Sequence, residues 1–195
     1  MLYLTLILSY FWGALLPGYF FFRLIDKKDI RNLGSGNPGA TNVFRLKGWK
    51  WGLFVFLFDF SKGLAVVLIS KSLFSQSWLP LAAGALVIVG HCFPFYLNFK
   101  GGKGIAASLG VFAGLSFLPF LGTLLVFFLI VGLTRYVSLG SIVAVFSFGL
   151  FSWFYRHQSD IILFWFFIFA MVIIRHRDNL ERLFQGTERR LGADQ

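Results

Sequence analysis

GIAASLGVFAGLSFLPFLGTLLVFFLIVGLT, residues 104–134, carries no charge in 31 positions. As one helix it would run about 46 Å, well beyond a hydrocarbon core of about 30 Å. Pro119 falls in its middle, where proline removes a hydrogen bond and clashes with the preceding turn, so a break is expected there. Two halves of about 15 residues would each reach only about 23 Å. Whether this stretch crosses a membrane once or twice sets the orientation of everything after it.

The flanking charges decide. The other apolar runs are Leu2–Phe22, with a kink expected at Pro17–Gly18, then Trp51–Ser70, Trp78–Leu97, Leu139–Tyr155 and Asp160–Ile174. Two crossings put Arg23, Lys27, Lys28, Arg31, Arg45, Lys47, Lys50, Lys100, Lys103, Arg135, Arg175, Arg177, Arg182, Arg189 and Arg190 on one side. Only Lys71 and Arg156 fall on the other, 15 against 2. One crossing gives 10 against 7. Because cations are retained on the cytoplasmic side, two crossings are expected, with local thinning or close packing accommodating the short halves. Trp49, Trp51, Trp78 and Trp153 fall at the interfaces this implies. The expected fold is all-α: a polytopic integral membrane protein of seven transmembrane helices, N-terminus outside and C-terminus cytoplasmic.

Composition agrees. The 195 residues are 57% hydrophobic and 13% charged, whereas a soluble domain carries about a quarter charged residues. Strand alternation is absent, which excludes a barrel. One membrane-embedded domain, 1–195, is expected, with no soluble module. The net charge of +10 lies beside apolar spans, so topology and anionic lipid or substrate explain it better than nucleic acid. No cation precedes the first apolar run and no A-x-A-like site follows it, so it is not read as a cleaved signal. Cys92 has no partner for an internal disulfide and reads as a small hydrophobe.

The polar segments carry the chemistry. In Gly34-Ser35-Gly36-Asn37-Pro38-Gly39-Ala40-Thr41-Asn42-Val43-Phe44-Arg45, three glycines and a proline within six residues bend the backbone and expose amides. Ser35, Asn37, Thr41 and Asn42 add neutral hydrogen bonds, and Arg45 adds a fork-shaped cation. Together they suit a phosphate; a Gly/Pro linker with capping Thr and Asn fits the same residues. The spacing Gly34-x-Gly36-x-x-Gly39 is not a dinucleotide fingerprint, because no strand precedes it and no βαβ unit surrounds it. Lys100-Gly101-Gly102-Lys103-Gly104 opens the fourth span. Its glycines would admit an anion to backbone amides at a helix N-terminus, beside two lysines. A positive-inside anchor turn is the alternative.

Ser138 and Ser141 lie one turn apart at the start of the sixth span. Capping is expected of Ser138 and phosphate contact of Ser141. His176 and Asn179 share a helix face just past the seventh span. His176 with Glu181 spaces like the His-x₄-Asp of many acyltransferases, but on a continuous helix the two point about 140° apart, so no dyad is read. Asp59 and Lys62, i and i+3 within a span, read as a structural ion pair, and His91 as a hydrogen-bonded structural histidine. His157 is given no role. No metal-ligand cluster, cofactor motif or nucleophile elbow is present, so no metal or cofactor is expected and an enzyme here would work without a covalent nucleophile.

GSGNPGATNVFR (34–45), GHCFPFYLNFKGGKG (90–104) and RHRDNLERLFQGTERRLG (175–192) resemble the three cytoplasmic motifs of the acyl-phosphate:glycerol-3-phosphate acyltransferases, the PlsY family. DFSKG (59–63) and RYVSLGS (135–141) are similar to further family segments. The resemblance implies transfer of a fatty acyl group from acyl phosphate to the sn-1 hydroxyl of glycerol 3-phosphate, giving 1-acyl-glycerol 3-phosphate (lysophosphatidate) and phosphate. That is the first committed step of bacterial phospholipid synthesis. It also implies a seven-span protein of the bacterial inner membrane with a cytoplasmic active site, supplied with acyl phosphate by a soluble enzyme. On this resemblance Ser35, Arg45, Lys103, His176 and Asn179 are the expected catalytic residues. Gly34, Gly36, Asn37, Gly39, Thr41, Asn42, Lys100, Gly101, Gly102, Gly104 and Ser141 would bind substrate phosphate, with Asp59, Lys62, His91 and Glu188 in supporting roles. A monomer in the lipid bilayer is expected. The leaving phosphate is expected to take the hydroxyl proton, with His176 and Asn179 positioning substrate; His176 as the base, or as a donor to phosphate, is the alternative. A transporter of phosphate or small organic anions is the alternative, since glycine breaks and cations also line transporter sites.

Overall fold

The computed structural model describes residues 1–156 and 159–192, and every regular element among them is helical. His157 and Gln195 lie outside the described residues. The chain forms two compact units, Met1–Leu115 and Ser116–Gln195.

The first unit contains α1 (Leu2–Ala14), α2 (Pro17–Leu24), α3 (Ala40–Lys47), α4 (Trp49–Leu73), α5 (Leu79–Cys92) and α6 (Ile105–Leu115). α1 and α2 are bent by 48° where Leu15 and Leu16 leave helical geometry and Pro17 starts the next helix. That bend leaves carbonyls without intrahelical donors, and long side chains supply them. Lys62 Nζ donates to Gly13 O and Leu15 O at 2.9 Å each, and the Tyr96 hydroxyl donates to Ala14 O at 2.7 Å. α1 lies against α5 and α4 against α6 at backbone contact: a methyl at Gly13 would overlap the Val87 carbonyl, and one at Gly63 the Ala107 carbonyl. Beneath the loop between α2 and α3, Phe22, Ile30, Val43 and Val55 form a small buried cluster.

The second unit contains α7 (Phe117–Thr134), α8 (Val137–Arg156), α9 (Ser159–Arg175) and α10 (Arg177–Phe184). α7 and α8 form a hairpin through Arg135, at φ 61°. Trp165 of α9 fits against Gly149 and donates its indole N–H to Val145 O at 2.7 Å. α9 and α10 are bent by 62° at His176. The tail returns to the hairpin, where Leu191 N–H donates to Arg135 O at 2.7 Å.

The stretch that decides the fold is broken, but at Ser116 and not at Pro119. Proline is tolerated in the first turn of a helix, whose N–H groups need no intrahelical acceptor, so the break precedes Pro119 and Pro119 lies in the first turn of α7. The two pieces are therefore unequal. α7, with 18 residues, is long and apolar enough to cross, and Leu125, Phe128 and Leu133 along it are widely exposed, as a lipid-facing helix requires. α6 has 11 residues, about 17 Å. Among the described residues four helical segments can cross alone, and six if each bent pair counts as one span.

Candidate active site

The first loop is folded by its own asparagines. Gly34 (φ 58°) and Gly36 (φ 72°) occupy the left-handed region. Buried Asn42 accepts from Ser35 N–H at 2.9 Å and donates to Leu33 O at 3.0 Å. Asn37 accepts from Gly39 N–H at 2.8 Å. Both were expected to touch phosphate; instead they spend these groups holding the turn, and a methyl at Gly34 would overlap the Asn42 amide. Ser35 and Gly34 stay exposed, while Thr41 and Arg45, i and i+4, share one half-buried face of α3.

Two other loop cations are committed elsewhere. Lys47 pairs with Asp26 at 2.8 Å. Arg31 grips Asp29, holding its carboxyl below the usual range, and donates to Leu97 O at 3.2 Å. Arg31 thus ties this loop to the segment entering the Lys100–Gly104 turn. The sequence reading overlooked it, although an aspartate two residues before an arginine is a recognisable turn signal.

The Lys100–Gly104 turn docks on the end of α5. Gly101 N–H donates to Cys92 O at 3.1 Å and Gly102 N–H to His91 O at 3.0 Å. A methyl at Gly101 would overlap the His91 carbonyl, and one at Gly102 the His91 imidazole. Gly101 and Gly102, expected to offer amides to an anion, therefore offer them to helix carbonyls, and their lack of side chains serves close approach. Gly104 (φ 82°) then turns the chain into α6. Ile105, Ala106 and Ala107 begin that helix, so their N–H groups have no carbonyl four residues back within it. An anion would be met here, with Lys103 half-buried alongside and Lys100 exposed.

Behind the turn lies a buried charged cluster. Lys62 Nζ is 2.8 Å from Asp59 Oδ1 and 3.0 Å from His91 Nδ1, and His91 Nδ1 is 3.3 Å from Asp59 Oδ1. All three residues are buried.

In the second unit Glu188 organises the tail. It accepts from Ser138 Oγ at 2.8 Å, Asn179 Nδ2 at 2.7 Å and Arg182 Nε at 2.8 Å. Ser138 is thus no helix cap, since its hydroxyl reaches 50 positions along the chain. Ser141, expected to contact phosphate, is buried and donates to Val137 O at 2.8 Å inside its own helix. Buried His176 sits at the α9–α10 bend with Nδ1 2.9 Å from Val172 O. A carbonyl only accepts, so Nδ1 carries a hydrogen, and in the neutral form of the ring Nε2 is the acceptor. The bend also removes the continuous helix assumed in comparing His176 with Glu181.

Burial opposes the charge on Glu188, but the hydrogen bonds from Asn179, Ser138 and Arg182 outweigh it and hold the carboxyl below its ordinary value of 4.5. A depressed carboxylate stabilises the fold above its unfolded pKa and ceases to as pH falls through the folded one. Glu188→Gln should therefore be less heat-stable than the parent at pH 7, with the gap closing below about pH 4.5. An unchanged gap from pH 7 to pH 3 would show that the carboxylate charge contributes nothing.

The chain is thus a multi-pass helical membrane protein whose polar turns carry amides, hydroxyls and fixed cations suited to anions. The glycerol-3-phosphate acyltransferase family model matches residues 3–186. A glycerol-3-phosphate acyltransferase of Syntrophotalea carbinolica is 43% identical over 192 residues, covering 98% of both chains. A crystal structure of PlsY (YgiH), an integral membrane glycerol 3-phosphate acyltransferase, in its glycerol 3-phosphate form has a TM-score of 0.93 at 40% identity, covering 98% of this chain and 96% of that one. The lysophosphatidic acid form has a TM-score of 0.90 at 38% identity, with 98% and 95% covered. The chain belongs to the glycerol-3-phosphate acyltransferase family of PlsY type, and it is an acyltransferase enzyme of phospholipid biosynthesis.

Proposed function

We propose that the enzyme transfers a fatty acyl group from acyl phosphate to the sn-1 hydroxyl of glycerol 3-phosphate, giving lysophosphatidate and inorganic phosphate. The observation that carries this is the near-full-length likeness to a relative solved in glycerol 3-phosphate and lysophosphatidic acid forms, which supports acceptor and product. The donor is the one that the resemblance of the three polar motifs implies. Acyl phosphate is already activated, and the one cysteine of the chain, Cys92, is buried, in keeping with direct transfer. Membership of an enzyme family speaks against the transporter alternative.

The hydroxyl oxygen attacks the acyl carbon, the bond from that carbon to the phosphate oxygen breaks, and phosphate leaves with its electron pair. Ser35, Thr41, Arg45, Lys103 and the first amides of α6 bind phosphate and stabilise its charge. His176 Nε2 accepts a hydrogen bond from the attacking hydroxyl, and the proton passes to the departing phosphate. In its neutral form His176 acts here as an acceptor rather than as a donor to phosphate. Asn179 is held by Glu188 and steadies the His176 turn. Asn37, Asn42, Gly101 and Gly102 shape the loops that bind.

The family match spans both units, which supports one acyltransferase domain. We place it in the bacterial inner membrane with seven crossings, the polar turns facing the cytoplasm and a soluble enzyme supplying acyl phosphate. α6 crosses as a short helix covered by α4, a setting in which irregular ends are tolerated at membrane depth. A cysteine at Ser77, in a Cys92→Ala background, should be labelled by an impermeant reagent from outside and one at Gln185 protected; equal labelling would sink the seven-span count.

Purified enzyme in detergent should convert acyl phosphate and glycerol 3-phosphate into equal amounts of lysophosphatidate and phosphate. Activity with acyl-CoA in place of acyl phosphate would overturn the donor assignment. The proton route is read from His176→Asn. A raised KM for glycerol 3-phosphate with the parent's pH profile supports proton transfer to phosphate. Normal KM with loss of the acidic limb makes His176 the base.

A further inference from the structure

The mechanism does not use the buried Asp59–Lys62–His91 cluster, yet this cluster touches two irregular parts of the first unit. On one side Lys62 donates to Gly13 O and Leu15 O, sealing the break between α1 and α2. An ammonium has three N–H donors, and Lys62 has four acceptor-capable neighbours: two carbonyls, Asp59 and His91. The ammonium is therefore saturated, and its position is fixed from three helices.

On the other side is the Lys100–Gly104 turn. His91 meets it twice: its carbonyl accepts from Gly102 N–H at 3.0 Å, and its imidazole occupies the space a side chain at position 102 would need. All three atoms nearest a methyl at Gly102 belong to the His91 ring. The ring is thus clamped between Lys62 and Asp59 at Nδ1 and the turn at its far edge. Three positions beyond Gly102, the chain enters α6.

We propose that His91 is a positioning residue for the acyl transfer: it transmits the rigidity of the Asp59–Lys62 pair to the turn, setting where Lys103 and the first amides of α6 meet phosphate. This rests on the reading of that turn as a phosphate site. A side chain that merely fills space would change the amount of folded enzyme; one that sets the turn changes the affinity for a phosphate substrate in enzyme that is folded.

The test uses full-length enzyme in detergent, with KM for each substrate, kcat and thermal midpoint measured together. His91→Asn keeps a polar group near Lys62 and loses the ring edge over Gly102. It should raise KM about tenfold for one phosphate substrate, the same one whose KM Lys103→Ala raises. Gly102→Ala should do likewise, because its methyl displaces the ring. His91→Ala removes the obstructing atoms, so Gly102→Ala added to it should worsen KM no further. Unchanged KM values in His91→Asn, with losses confined to folded yield, overturn the positioning role, as does full multiplication of the two effects in the double variant. If Lys103→Ala alters neither KM nor kcat, the phosphate reading of the turn fails and this inference fails with it. If only the His91 variants are silent, that reading stands and the inference alone is wrong.

Discussion

Lys103→Ala should turn over on the order of 10²-fold more slowly than the parent, because a fixed cation beside a transferring phosphate stabilises charge that water would otherwise have to solvate. Lys103 is half-buried and directly follows the docked glycines, whose contacts with the end of α5 fix the turn's backbone. Arg45→Lys is the companion measurement. It keeps the charge on the face of α3 that carries Thr41 but loses the planar fork, and it should also damage kcat/KM. Steady-state kinetics with both substrates varied will decide; near-parental values in both variants would remove these residues from the site.

Asp59→Asn should have a large effect on stability. It leaves the Lys62 ammonium buried without its counter-charge, and breaking such a pair costs about 3–5 kcal/mol. Lys62→Met should be equally damaging: it strands the Asp59 carboxylate, and Gly13 O and Leu15 O lose their donor as well. The double variant removes the stranded charge but not the orphaned carbonyls. Its thermal midpoint should therefore lie above the value expected by adding the single losses, yet below the parent. Strict additivity would mean that the two side chains act independently, contrary to their 2.8 Å contact.

Much of the architecture is written in local pattern. The apolar runs, the kink before Pro17 and a break in residues 104–134 follow from hydropathy and backbone chemistry alone. The error at Pro119 was one of register: sequence marks where a helix is weakened, but a proline can serve either as a breaker or as a first-turn residue, and packing chooses. The site was less legible because its residues serve partners far along the chain. Ser138 looks like a cap until Glu188 folds back onto it. The glycines at 101 and 102 look like an anion cradle until the end of α5 is beneath them. Asn42 looks like a ligand until Leu33 and Ser35 are placed beside it. The tautomer of His176 depends on the Val172 carbonyl, a group that every residue has and no pattern distinguishes.

The sealed break between α1 and α2 also bears on how the protein is made. Carbonyls exposed in hydrocarbon cost several kcal/mol each until a donor arrives. The donor for Gly13 lies 49 positions downstream, so at 5–20 residues per second the ribosome delivers it roughly 2–10 s later. During that interval the first hydrophobic segment is poorly suited to lipid, and Lys62 is equally unsuited without Asp59 and the α1 carbonyls. The two segments are each other's condition for release into the bilayer. Nascent chains stalled before Lys62 emerges should still cross-link through α1 to the insertion machinery, and chains stalled well beyond it should not; early release of α1 from the shorter chains would show that lipid accepts the bent segment unaided.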